Sequence, residues 1–179
     1  MSRVLAILPE GFEEIETVAP VDLLRRAGID VVLASLGVDL PVRGRSGIVL
    51  HADTTLNHCL AEDFDCLFLP GGPGVKILRT DDRVKTLVRS FSGKGRWIAA
   101  ICAAPAVLMD LGVLEGRRYT AHFSVQQELP SILAGMRVVV DGHLITSRGA
   151  GTSIDFGLSL IEHLVSPAKA REIANAICF

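Results

Sequence analysis

Four short runs of the chain are apolar at nearly every position and then stop on glycine, proline or small residues. They are Arg3–Leu8, closed by Pro9 and Gly11, the valine-rich Asp30–Leu36, "CLFLPGG", and Arg96–Ile101. A strand with one wet face alternates polar and apolar residues, whereas a run that is apolar throughout is covered on both faces. Between the runs lie segments of helical period. Glu13–Ala27 places Ile15, Val18, Ala19, Leu23 and Leu24 in register before Gly28, and Asp81–Ser92 is moderately amphipathic. This alternation predicts a doubly wound α/β fold, a mostly parallel sheet sandwiched by helices.

The remaining segments fit that frame. Gly37–Ala61 breaks into short pieces and reads as a small hairpin or excursion. Met136–Val140 and His143–Ser147 flank an Asp141-Gly142 turn and predict a hairpin-like pair. A helix is expected from about Ala103 to Leu111, and two closing helices over Thr152–Val165 and Pro167–Ile177. With 179 residues and no linker, repeat or low-complexity tract, the chain is read as one domain over 1–179.

Composition narrows the partners. A net charge of -2 gives no basis for a nucleic-acid or anionic-membrane partner. The longest apolar run, Trp97 to Met109, is too short to span a bilayer. "MSRVLAILPEGFEE" runs from an apolar core straight into acids, and reads as a first strand rather than a signal peptide. Cys59, Cys66, Cys102 and Cys178 are widely spaced with no CxxC pair, which favours free thiols in a reducing cytoplasm. Mean hydropathy is +0.42, high for so small a chain, and a subunit interface is one outlet for it; a two-fold homodimer is expected.

In doubly wound sheets the functional crevice lies beyond the carboxyl ends of the strands. Three loops meet that rule: "PEGFEEIE", "PGGPG" and "ICAAP". Cys102 follows a strand and opens a small-residue turn, the setting of a nucleophile elbow. There the following helix would favour the thiolate, and the amides of Ala103 and its neighbours could hold an oxyanion. A buried cysteine packing as a small hydrophobe fits the same position equally well. Glu13 and Glu14 are accounted for as acids at a helix start. Glu16 lies further inside, where an apolar crevice would raise its pKa and let it shuttle protons beside a thiolate.

Other candidates carry weaker signals. "PGG" brings backbone amides close to a ligand but lacks the Gly-Lys-Ser/Thr ending of a phosphate loop. His122 in "YTAHFS" is the histidine best placed to line the crevice. Arg148 in "TSRGAGTS" stands at a helix cap, where it could bind an anion or serve the cap alone. Glu162 and His163 in "IEHL" are adjacent on a helix, point apart, and read as surface. The five histidines show no metal-ligand spacing, so neither a metal nor a cofactor is expected.

Taken together, "PEGFEEIETVAPVDLLRRAG", "LPGGPG", "AAICAAP" and "LITSRGAGTS" resemble the ThiJ/PfpI superfamily over nearly the whole chain, and most closely its parkinsonism-associated deglycase branch. The resemblance implies a flavodoxin-like sandwich, usually dimeric. It implies a reactive cysteine at Cys102 paired with a protonated glutamate at Glu16, and oxyanion amides at Gly72 and Ala103. The family histidine and arginine fall on His122 and Arg148. Protease-like members carry a histidine directly after the cysteine; Ala103 stands there, so a cysteine–histidine hydrolase is not implied. The second, peripheral cysteine of animal members appears as His51, and no redox role passes to it.

The implied activity is a cysteine-dependent, glutathione-independent glyoxalase or protein deglycase acting on small reactive aldehydes of the methylglyoxal type, free or on glycated protein. The alternative is an oxidative-stress sensor or chaperone whose Cys102 is oxidised to sulfinate.

Overall fold

The computed structural model describes residues 2–179. The strands are β1 (Arg3–Leu8), β2 (Asp30–Ser35), β3 (Pro41–Arg43), β4 (Val49–His51), β5 (Thr54–Thr55), β6 (Cys66–Leu69), β7 (Trp97–Ile101), β8 (Val138–Asp141) and β9 (Leu144–Ser147). The helices are α1 (Glu14–Arg26), α2 (Leu56–Cys59), α3 (Val75–Thr80), α4 (Asp82–Gly93), α5 (Pro105–Asp110), α6 (Ser153–Leu164) and α7 (Pro167–Ala176).

Seven strands form one sheet in the order β5-β2-β1-β6-β7-β9-β8, parallel except for the antiparallel β8–β9 pair; β3 and β4 make a separate antiparallel hairpin. The continuous apolar runs serve two cores. Leu5 and Ile7 of β1 face Leu78 of α3, Val84 and Val88 of α4 and Val107 of α5. Val4, Ala6 and Leu8 face Leu24 of α1, Phe156 and Leu160 of α6 and Ile173 of α7. The fold is therefore the flavodoxin-like sandwich expected.

Local chemistry sets the ends of the elements. Glu13 is the N-cap of α1, its side chain accepting from the Glu16 N–H at 2.7 Å, and Arg25 and Arg26 occupy the last turn near the negative pole. Asp81 caps α4 through the N–H groups of Arg83 and Val84. The excursion at 37–61 resolves into the β3–β4 hairpin, β5 and α2. The helix after Cys102 is shorter than the sequence suggested, because the turn occupies Cys102–Ala104 and leaves six residues for α5. α3 was not foreseen at all, since "VKILRT" is too short to show a period.

Among the described residues no helix is long and apolar enough to cross a membrane. One close approach fixes the site indirectly. A Cβ on Gly157 of α6 would lie 2.8 Å from Leu23 Cδ1 and 3.1 Å from Pro20 Cα, both on α1. Gly157→Val should force α1 away from α6, destabilise the fold by about 1–3 kcal/mol, and lower Tm by roughly 2–4 °C for each kcal/mol, read by thermal denaturation.

Candidate active site

β1, β6 and β7 are neighbours, and their carboxyl ends release the three loops singled out in the sequence. β1 is also where the winding reverses, with β2 on one side and β6 on the other. The loops therefore converge on one crevice.

Cys102 sits at the end of β7 with φ of +65°, a left-handed conformation that a side chain with a Cβ rarely adopts. Its N–H donates to the Ser147 carbonyl and its own carbonyl accepts from the His122 N–H, each at 2.9 Å. Pinned on both sides, the residue is turned so that its sulfur leaves the core and enters the crevice only partly buried. This is the elbow predicted, and it decides against Cys102 as a plain core residue.

Glu16, 2% exposed, comes in from the first turn of α1. Gly71 shows how close the two groups lie. A Cβ there would run into Glu16 Oε2 while standing 2.5 Å from Cys102 Cβ and 3.0 Å from its Sγ. Gly149 does the same on the other side, its absent Cβ position lying 3.4 Å from both Glu16 Oε1 and His122 Cδ2, and 3.9 Å from Cys102 Cβ. Two glycines thus clear the space in which carboxyl, sulfur and imidazole meet. Gly72, with φ of +96°, cannot carry a side chain either, since a Cβ would press to 2.6 Å from the Gly11 carbonyl oxygen.

Electrostatics follow from this crowding. Burial pushes the Glu16 carboxyl up to about 7, with the Glu13 carboxylate adding to the rise and the Gly71 and Ala150 amides opposing it. Its Oε2 is buried without a hydrogen-bond partner, and the Cys102 thiol beside it, which draws the carboxyl pKa back down, is the neighbour with a proton to share. The thiol is pushed up as well, to about 12, first by burial and then by the charge of Glu16, while the Gly72 and Ala103 amides pull the other way. The Ala103 amide at the start of the turn thus favours the thiolate as expected, but the net shift runs the other way. α5 is only six residues long, and desolvation outweighs it. A carboxyl and a thiol in contact carry one negative charge between them, not two.

His122 lines the same cleft, about 490 Å³ in volume, with Glu13, Glu16, Arg45, Gly72, Cys102 and Ala103. Its Nδ1 accepts from the Ser124 N–H at 3.2 Å, which places the proton of the neutral ring on Nε2. Burial, Arg45 and Arg148 all push its pKa down, so the ring stays neutral. Arg148 is exposed and lines an adjoining pocket that meets the cleft at His122 and Ala150, rather than the cleft itself. Glu162 and His163 are on the surface, as expected.

Sequence reasoning missed several contributors. Glu13 is a buried cap that acts on Glu16, beyond its share in the dipole. Glu14 is buried too and reaches the β3–β4 turn, its Oε1 accepting from the Ser46 N–H at 2.7 Å. That turn delivers Arg45 to the cleft, with the Arg45 N–H donating to the Phe12 carbonyl at 2.8 Å. The only local signal was the glycine-rich "RGRSG". Lys76 and Arg79 arrive on the unforeseen α3. Among the described residues no group of three or more His, Cys, Asp or Glu side chains is placed to hold a metal ion.

Comparison with known proteins gives this arrangement its relatives. The profile of the DJ-1/PfpI family matches residues 2–163. The chain belongs to that family. Protein dj-1beta of Drosophila melanogaster is 39% identical, over 97% of this chain and 95% of its own length. The glutathione-independent glyoxalase DJR-1.2 of Caenorhabditis elegans is 31% identical, over 99% of this chain and 96% of its own. Some relatives are longer: the chain spans 46% of Protein DJ-1 homolog A of Arabidopsis thaliana, at 37% identity over 97% of this chain. An oxidised Toxoplasma gondii DJ-1 superposes with a TM-score of 0.95 at 34% identity, covering 100% of this chain and 99% of that one.

The buried carboxyl has a pH signature. A glutamate whose pKa rises from 4.5 unfolded to about 7 folded is favourable to the fold when protonated. That contribution is complete below the unfolded value and is lost as pH rises through the folded one. Glu16→Gln, which never charges, should therefore melt above the wild type at pH near 8.5. The gap should close towards pH 5, as followed by Tm across a pH series.

Proposed function

We propose that the protein is a cysteine-dependent, glutathione-independent glyoxalase that converts small 2-oxoaldehydes of the methylglyoxal type to 2-hydroxy acids. The observation that carries this reading is the closeness of the Cys102 sulfur to the buried Glu16 carboxyl, whose pKa burial raises to about 7, in the range of a proton shuttle. The name of the nematode relative supports it.

The pair begins with one negative charge, resting on Glu16 with the proton on sulfur, because the carboxyl is pushed up to about 7 and the thiol to about 12. That proton passes to Glu16 as the sulfur becomes the attacking thiolate. The Gly72 and Ala103 amides support the sulfur in that state. Sulfur adds to the aldehyde carbon, Glu16 protonates the carbonyl oxygen, and a hemithioacetal forms. The Glu16 carboxylate then lifts the remaining proton from that carbon and returns it to the neighbouring carbon. Meanwhile the hydroxyl proton passes to the neighbouring oxygen, with the neutral His122 at the same wall. The result is a thioester of the 2-hydroxy acid. Water cleaves it, the acid leaves ionised with a proton released to solvent, and sulfur and Glu16 regain their shared proton. Overall one aldehyde and one water become one 2-hydroxy acid, with no external oxidant or reductant. Hemithioacetal adducts on protein thiols that dissociate to thiol and free 2-oxoaldehyde would feed the same reaction.

Cys102→Ala should abolish lactate formation from methylglyoxal, and Glu16→Gln should lower kcat by roughly 10²–10⁴-fold, measured by steady-state lactate release. Wild-type-like turnover in Cys102→Ala would end this reading.

A second reading rests on the same donors. With Glu16 protonated, its carboxyl and the two amides could hold the oxygens of a sulfinate on Cys102, as in a stress sensor. Cys66 and Cys59 are closed off from solvent, at 0% and 1% exposed, whereas Cys102 is only partly buried, so neither meets peroxide before it. Mild peroxide should add two oxygens to Cys102 before Cys59 or Cys66, read by peptide mass spectrometry.

A homodimer in the cytoplasm belongs to the same proposal. Ile15 and Val18 on α1 and Ile48 and Val49 at the hairpin are all exposed apolar residues, and the Glu14–Ser46 bond ties the two elements together. They supply a contiguous face for a second copy. The four cysteines are all free, as suits a reducing compartment.

A further inference from the structure

The anion-binding alternative raised by "TSRGAGTS" is not used by the reaction above, and the cleft around it is unusually cationic. Arg45 and Lys76 line the Cys102 cleft, and Arg148 lines the pocket that joins it at His122. None of the three forms an ion pair among the described residues. Most arginines elsewhere are engaged, including Arg79 at the same cleft, which Asp110 and Glu128 hold at 2.7 Å each.

The acids facing this space are spoken for. Glu13 is committed to the Glu16 N–H, Glu128 to Arg79, and Glu16 shares a single charge with Cys102. Arg45 and Arg148 reach His122 from different elements, the β3–β4 turn and the loop after β9, and both act on the ring electrostatically. A ligand with its carbonyl at Cys102 would extend past His122 into the space between the two guanidiniums. Neutral methylglyoxal gives them nothing to bind.

We propose that Arg45 and Arg148, with Lys76 at the cleft wall, select 2-oxoaldehydes that carry an anionic group, a phosphate or a carboxylate, beyond the reacting carbons. This rests on the glyoxalase reading and names its substrate class. The guanidiniums grip the anion in charge-assisted hydrogen bonds. The chemistry is unchanged: aldehyde plus water gives a 2-hydroxy acid that keeps its phosphate or carboxylate.

The test compares kcat/KM for methylglyoxal, hydroxypyruvaldehyde phosphate and dioxovalerate, a 2-oxoaldehyde with a terminal carboxylate. At low salt at least one anionic compound should exceed methylglyoxal by about tenfold or more, and the better of the two identifies phosphate or carboxylate as the preferred group. Raising the salt towards 1 M, where the screening length falls to about 3 Å, should erode the preference. Arg45→Gln and Arg148→Gln are exposed changes; each should lower kcat/KM for the anionic substrate several-fold more than for methylglyoxal. Equal rates on all three compounds overturn the charge selection and leave the glyoxalase reading intact. A preference that survives the double variant overturns the assignment to these arginines. Failure to convert any of the three overturns both.

Discussion

One proton shared between two buried acids governs this molecule. The Glu16 carboxyl and the Cys102 thiol are both taken out of water, both are pushed towards their neutral forms, and they lie too close for both to ionise. Each neighbour can be understood by what it does to that proton. The Gly72 and Ala103 amides favour charge on sulfur, while the buried Glu13 carboxylate discourages charge on Glu16. His122 is kept neutral by burial and, beyond that, by two arginines, so it adds no cation that would collapse the pair into a fixed ion pair.

The scaffold exists to hold that contact. Cys102 keeps a left-handed backbone because hydrogen bonds to Ser147 and His122 fix its amide and carbonyl. Glu16 is aimed by α1, whose distance from α6 is set by Gly157. Gly71 and Gly149 then leave the volume in which the two side chains meet. Strain at one residue and missing side chains at two others are tolerated because the sheet beneath them, apolar on both faces, is rigid.

Much of this was legible in the chain. The fully apolar strand runs announced a sheet covered on both sides, and the loops after them located the crevice. Cys102 announced an elbow through the small residues that follow it. Other parts left no local trace. α3 is too short for its period to show, and with it Lys76 and Arg79 stayed hidden. Arg45 lies on a turn far from the strand ends in sequence, and only the Glu14–Ser46 and Arg45–Phe12 hydrogen bonds fold it over the cleft. The net state of the thiol left no local trace either, because burial, which depends on distant residues, outweighs the Gly72 and Ala103 amides.

The sequence by itself determined the layer architecture, the order of the elements and the loops that meet at the crevice, because periodicity and loop position are properties of neighbours along the chain. Tertiary structure alone decided the state of the Glu16–Cys102 pair. Whether a carboxyl retains its proton depends on how much water is excluded and which charges face it, and those are supplied by residues up to about 130 positions away, from Glu13 to Ala150. The same holds for the cations around His122, which three separate segments bring together only when the sheet is wound.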